Sequence, residues 1–151
     1  MAEKTQRGND TWTAEEKAAM QEHAAEQKAA KSRKGTKEEK AAADVEAQAA
    51  KIAELDDSDR DFAERVQEVV LAAAPQLAPK LWYGMPAYYL DGKHICFFQP
   101  ASKFKARYGT LGFDANAALD DGNFWPTSYA LTNLGAAEEK AITALVKKAV
   151  G

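Results

Sequence analysis

The chain has 151 residues and a formal net charge of −3 at pH 7, a length that favours one domain with an extension over two ordinary domains. Hydrophobic residues make up 46% of the chain, which excludes a wholly disordered protein. The acidic balance argues against binding nucleic acid or anionic membranes through bulk charge. We therefore expect a folded, soluble protein.

The number of cysteines and the length of the apolar runs indicate in which cellular compartment the protein is found. Cys96 is the sole cysteine, so no disulfide can form within the chain and a cysteine-based zinc site would lack ligands. The first thirty residues carry charges throughout and no apolar core region, and the longest apolar runs are too short to cross a bilayer. We expect a cytoplasmic protein without a signal peptide or a membrane partner.

Composition divides the chain into two parts. Twelve of the fourteen aromatic residues lie between Trp82 and Tyr129, whereas residues 1–57 are rich in Ala, Glu and Lys. We predict a charged helical extension over residues 1–49, which can bury little, and a folded domain over residues 50–151.

Capping signals predict two helices in the extension. Thr13 and Thr36 are each followed three residues later by a glutamate, as a capping box requires. Gly35 can end the first of these helices.

Two amphipathic helices are predicted in the domain. The first begins at Ser58, ends before Pro75 and buries an apolar face at helical spacing: Phe62, Val66, Val69, Val70 and Ala73. The second closes the chain and carries Ile142, Leu145, Val146 and Ala149 at the same kind of spacing.

The segment between these helices shows strand patterns. Strands are predicted over 80–83, 87–90 and 93–98, with Asp91-Gly92 as a type I′ hairpin turn. A further strand over 103–110 alternates apolar side chains with cations, and Leu111–Phe113 can continue the sheet. A short helix from Asp114 to about Gly122 and a last strand over 127–134 complete an α+β domain of helix, antiparallel sheet and helix.

Four short motifs form the most distinctive part of the sequence: Trp82-Tyr83-Gly84-Met85-Pro86-Ala87-Tyr88, Gly92-Lys93, Cys96-Phe97-Phe98 and Lys103-Phe104-Lys105. With these motifs the chain resembles the bacterial YdhG-like domain family over roughly residues 50–150. The resemblance implies a frataxin-like α/β sandwich, with helices packed on one face of an antiparallel sheet. Some members of that family are described as intracellular iron chaperones. The resemblance implies no catalytic residues.

Four carboxylates on the predicted core helix are the candidate iron ligands: Asp57, Asp61, Glu64 and Glu68. Their spacing of i, i+4, i+7 and i+11 places them within a sector of about 60° on the side away from the apolar face. Carboxylate oxygens suit weak, transient binding of Fe²⁺ for delivery to an iron-accepting protein. The alternative interpretation is a solvated helix face, because Arg60 and Arg65 lie beside these carboxylates.

Aromatic residues support a second hypothesis, a small-molecule or peptide binding module. The candidate ligand-binding residues combine an aromatic surface with three cations at its edge: Trp82, Tyr83, Met85, Tyr88, Trp125, Lys103, Lys105 and Arg107. The same aromatic residues can simply fill the core. Nucleic acid is not expected, because the cations and the aromatic residues of the predicted strand 103–110 lie on opposite faces.

The sequence offers less support for other metal sites and for catalysis. His94 and Cys96 alternate onto one side of a strand, but two ligands make an incomplete metal site. Glu22, His23 and Glu26 can meet on one helix turn, but a flexible, exposed trio binds a metal poorly. The sequence has no phosphate-binding glycine loop, dinucleotide fingerprint or nucleophile elbow, so we expect no enzyme. A third hypothesis makes the domain a scaffold whose extension recruits a protein.

Overall fold

The computed structural model describes residues 11–151, in which three helices are followed by five strands and a closing helix, consistent with the α+β class that the sequence predicts. The elements in chain order are α1 (Ala14–Ser32), α2 (Lys37–Ala53), α3 (Asp57–Ala73), β1 (Ala78–Trp82), β2 (Met85–Leu90), β3 (Lys93–Gln99), β4 (Gly109–Phe113), β5 (Ser128–Leu131) and α4 (Ala136–Ala149).

The five strands form one antiparallel sheet in the order β1-β2-β3-β4-β5. Two-residue turns join β1 to β2 and β2 to β3. The second turn confirms the prediction, since Asp91 and Gly92 have φ of 50° and 81°. Tyr83 and Gly84 also have positive φ, at 53° and 76°, so the first turn has the same left-handed conformation at both positions.

One face of the sheet carries the core. Tyr88, Cys96, Phe98 and Leu111 are fully buried there, in one cluster with Val66 and Val70 of α3 and with Ile142 and Val146 of α4. Strand register places Trp82, Met85 and Phe97 on the opposite face, because Trp82 pairs with Met85 and Phe97 neighbours the core residues Cys96 and Phe98.

Helix α2 packs on β1 and β2 and beside α3, and the boundary predicted between residues 49 and 50 falls inside it. Gln48 is fully buried, and its Nε2 donates to the carbonyl oxygens of Lys80 and Ala87 at 2.7 and 3.0 Å. Residues before position 50 therefore enter the packed interior, which differs from the expectation that they bury little.

The strand predicted over residues 103–110 is wrong except at its last two residues. Residues 101–107 form a turn-rich loop, and β4 begins only at Gly109. The buried carboxylate of Asp59 accepts hydrogen bonds from the backbone N–H groups of Ser102 and Lys103 at 3.1 and 2.9 Å. These bonds fix the loop, and Lys105 adopts a φ of 51° that a strand does not allow.

Smaller differences concern element ends. The core helix begins at Asp57 and is capped by Asp56, two residues before Ser58, which the sequence predicts as the cap. Residues 114–122 form turns in place of the predicted short helix, and β5 spans four residues of the predicted 127–134. Among residues 11–151, each helix is too short or too polar to cross a membrane.

Candidate ligand-binding pocket

A pocket of about 640 Å³ lies between the N-terminal half of α1 and the face of the sheet opposite the core. Its size is in the range of small-molecule sites, about 300–1,000 Å³. Large apolar side chains form most of its wall: Trp12, Met20, Trp82, Tyr83, Met85, Phe97 and Phe104. We call this cavity the aromatic pocket.

The strand register and Gly112 determine where the aromatic side chains lie on the sheet side of the pocket. Phe97 lies opposite Gly112 in the β3–β4 pair, and a Cβ atom on Gly112 would overlap the Phe97 ring. The outer end of the ring therefore lies directly over Gly112 of the neighbouring strand. The Trp82 ring lies 4.8 Å from that of Phe97 and 4.9 Å from that of Tyr83, in tilted and edge-on geometry. These contacts give the pocket a rigid aromatic floor.

The opposite wall comes from α1 and the residue before its cap. Thr13 caps α1 by accepting from the Glu16 N–H at 3.1 Å, and Glu16 Oε2 accepts from the Thr13 N–H in return. This capping box confirms the predicted helix start. Trp12 and Met20 remain 51% and 39% exposed, so both keep apolar surface that a ligand can cover.

Polar groups stand at the rim of the aromatic pocket. Lys105 Nζ lies 2.8 Å from Glu15 Oε1, which ties the loop to α1, and Gln99 contributes an amide. The hydrogen bond that Lys105 donates to the Glu15 carboxylate raises the pKa of Lys105 above its ordinary value, so the ammonium stays charged. The rim can therefore orient a ligand that carries an acceptor or an anionic group.

The structure brings together four of the predicted ligand-binding residues, since Trp82, Tyr83, Met85 and Lys105 line the aromatic pocket. Lys103 lies nearby, bonded to the Gly84 carbonyl at 3.2 Å.

The other predicted ligand-binding residues lie elsewhere. Tyr88 is fully buried in the core, and Trp125 packs against that core as a partly buried side chain. Arg107 is exposed, with its guanidinium 5.2 Å from the Tyr108 ring centre.

Sequence reasoning missed the α1 side of this site. Trp12 and Met20 lie in the segment predicted to be a charged extension, yet they face Trp82 and Met85 across the pocket. A signal was present, because these two are the large apolar residues of the segment 12–32, where a solvated arm has no use for them.

The four predicted iron ligands all lie exposed on α3. Asp57 pairs with Arg60 at 2.7 Å, and Arg65 pairs with Glu139 of α4 at 2.6 Å. Within residues 11–151, no three His, Cys, Asp or Glu side chains come together in a way that could hold a metal ion.

His94 and Cys96 lie on opposite faces of the sheet, which corrects the expectation that they share one side. A β-bulge between β2 and β3 shifts the register, so that Cys96 opposes Tyr88 in the core and His94 opposes Tyr89. His94 lies 4.5 Å from the Trp82 ring, and its Nδ1 is 3.5 Å from the Asp114 carboxylate. Burial lowers the pKa of His94 despite the opposing effect of Asp114, which favours the neutral imidazole.

Comparisons with models of known protein families, with curated proteins and with solved structures find no match to this chain. The candidate function is therefore argued from the geometry of the described residues.

Proposed function

We propose that the protein is a binding module for small planar aromatic molecules, which enter the aromatic pocket between α1 and the sheet. The observation that carries this proposal is the arrangement of five aromatic rings and two methionines around one cavity of about 640 Å³. Aromatic side chains offer broad apolar faces with hydrogen-bonding edges, and methionine adapts its shape to different ligands.

Polar groups at the rim narrow the class of ligand. Lys105 is 78% exposed, so its ammonium can turn from Glu15 toward a ligand at little cost. The Gln99 amide can both donate and accept a hydrogen bond. An aromatic ring that carries a carboxylate or an amide matches this combination of an apolar floor and a polar edge.

Indole NMR signals test the proposal, because the chain has three tryptophans and two of them line the pocket. A library of small aromatic acids and amides is titrated into ¹⁵N-labelled full-length protein. Binding compounds are expected to shift the indole signals of Trp12 and Trp82, while the signal of Trp125 stays unchanged. A library without any such compound, or shifts of equal size at Trp125, would contradict the proposal.

A wall variant and a matched control sharpen this test. Trp12→Ala removes a half-exposed ring and is expected to weaken binding about three- to tenfold, in line with the 0.5–1.5 kcal/mol typical of aromatic contacts. Phe124→Ala removes a ring that is 93% exposed and lies outside the pocket, and it should leave the affinity unchanged.

The finer fold assignment is also part of the proposal. A frataxin-like sandwich is supported by the antiparallel sheet, with α3 and α4 on one face and α2 beside α3. A cytoplasmic location and a binding role without catalysis are proposed from the sequence. Iron delivery through the α3 carboxylates stays a sequence-based prediction.

A further inference from the structure

The turn between β1 and β2 has the geometry of an anion-binding site. Tyr83 and Gly84 both adopt positive φ, and their successive N–H groups point to one carboxylate. Glu26 of α1 accepts from both, with its Oε2 3.1 Å from the Tyr83 nitrogen and its Oε1 2.7 Å from the Gly84 nitrogen. A carboxylate bound by two backbone donors fills the turn.

A second carboxylate lies directly over the same turn. A Cβ atom on Gly84 would overlap Glu22 Oε2 and would lie 3.0 Å from Lys103 Nζ. Lys103 Nζ contacts Glu22 Oε2 at 3.3 Å and the Gly84 carbonyl oxygen at 3.2 Å. The φ of 76° favours glycine at position 84, and a side chain there would displace the Glu22 carboxylate.

Polar contacts hold α1 in place at this site. The helix has no fully buried residue. Glu22 also pairs with Lys51 at 3.0 Å, Glu15 pairs with Lys105, and the His23 ring stacks on Tyr83 at 3.9 Å. Exposed ion pairs of this kind contribute little to stability. An acidic helix with carboxylates at the same spacing would offer the same contacts.

We propose that the β1–β2 turn, with Lys51, Lys103 and Lys105 around it, is a docking site for an acidic helix of a partner protein, and that α1 fills this site until the partner displaces it. Charge complementarity carries the assignment: the donors match carboxylates one helical turn apart, as in Glu22 and Glu26. Bound carboxylates extend from Glu15 to Glu26, about 16 Å along a helix, which fits a helical peptide better than a small anion.

The test offers α1 as a separate peptide. The probe is a synthetic peptide of residues 14–32, and its control carries Gln at the positions of Glu22 and Glu26. The receptor is the full chain with Glu22→Gln and Glu26→Gln, which empties the turn of its own carboxylates. The unmodified peptide is expected to bind this receptor at least tenfold more tightly than the control peptide, and at least tenfold more tightly than it binds the wild-type chain.

A receptor variant and the oligomeric state complete the test. Adding Lys103→Gln to the receptor should weaken peptide binding at least threefold, whereas Lys140→Gln, an exposed lysine on α4, should leave it unchanged. Equal affinity for both peptides, or no saturable binding, would overturn the proposal. A wild-type dimer whose protection of residues 14–32 from amide exchange is lost on dilution would assign the site to a second copy and overturn the choice of a partner protein. None of these readouts depends on a ligand in the aromatic pocket.

Discussion

The side chain of Gln48 connects α2 to three other elements, β1, β2 and α3. Its amide donates to the carbonyl oxygens of Lys80 and Ala87, and its Oε1 accepts from Gln67 of α3. Gln48→Ala should lower the free energy of unfolding by about 2–4 kcal/mol, because it opens a cavity and leaves the half-buried Gln67 amide without this partner. Urea denaturation measures the change.

Gln21→Ala provides the control for this substitution. Gln21 is exposed on α1, so its replacement should change the free energy of unfolding by no more than about 0.5 kcal/mol. An equally small change for Gln48→Ala would show that the buried amide network does not stabilise the fold.

The buried thiol of Cys96 makes stability depend on alkaline pH. Burial raises its pKa from 9.0 to about 12, so the folded state keeps a proton that the unfolded chain releases. This stabilisation is complete below pH 9 and is lost as the pH rises from 9 to about 12. The loss is at most about 1.4 kcal/mol per pH unit. Burial raises the pKa of Tyr88 in the same direction.

Urea denaturation at several pH values between 8 and 11 checks this dependence. The Cys96→Ala variant should lose stability less steeply above pH 9 than the wild type does. Identical slopes for the two proteins would show that the thiol ionises equally in the folded and unfolded states.

For single residues, the sequence predicts the turns and helix caps that are determined by adjacent residues in the chain. The turn at Asp91-Gly92 and the cap at Thr13 follow from local chemistry, and both are confirmed. Gln48 has Ala on both sides and resembles a solvated position, because its partners lie 19 to 39 residues away. A pattern of adjacent residues cannot predict hydrogen-bond partners at this distance along the chain.

Among the elements, the loop over residues 101–107 depends on one buried carboxylate. Asp59 is 4% exposed and accepts from the Ser102 and Lys103 backbone N–H groups. Asp59→Ala should cost about 2–3 kcal/mol of unfolding free energy, because it removes two charge-assisted bonds from a buried site. Amide hydrogen exchange should speed up at Ser102 and Lys103.

Asp61→Ala is the matched control on the same helix, because Asp61 is exposed. It should change stability by at most about 0.5 kcal/mol and leave exchange at residues 102–103 unchanged. Equal effects of the two substitutions would contradict the role of Asp59.

The loop also shows why one predicted strand failed. Phe104, Ala106 and Tyr108 alternate with cations, which is the pattern of a half-exposed strand. The carboxylate that binds this loop comes from α3, more than 40 residues earlier, and it outweighs the local pattern. The amphipathic spacing of α3 and α4 predicted those helices well, because burial of one face repeats over several turns.

The acidic face of α3 has its own direct test. If these carboxylates bind iron as the sequence predicts, anaerobic titration of Fe²⁺ into isotope-labelled protein should broaden the amide signals of residues 57–68 alone, because Asp57, Asp61, Glu64 and Glu68 project from one side of this helix. Replacing all four by their amides should abolish the broadening without unfolding the core, since all four are exposed. Unchanged spectra at a large excess of iron would leave this face as a solvated surface.

At the scale of the whole molecule, α1 connects the two proposed sites. Its N-terminal half forms one wall of the aromatic pocket, and its Glu22 and Glu26 fill the β1–β2 turn. If both proposals hold, a ligand held between α1 and the sheet would stabilise the docked helix and oppose displacement of α1 by an acidic partner. The two binding events would then be coupled with opposite sign.

The α+β class and most of the antiparallel sheet could be predicted from the sequence, because apolar periodicity and hairpin turns are local signals. The position of α1 could not. Composition describes α1 as a charged helix, whereas its docking depends on Lys51, Lys103, Lys105 and a left-handed turn that only the folded chain brings together.

The most direct test of the proposed function locates a bound ligand between the two walls of the pocket. Met20 belongs to α1 and Met85 to β2, and both line the cavity. With methyl-labelled methionine, a bound aromatic compound is expected to show nuclear Overhauser contacts to both methyl groups at once. Contacts to neither methyl group from a compound that binds the protein would place the ligand elsewhere and contradict the account.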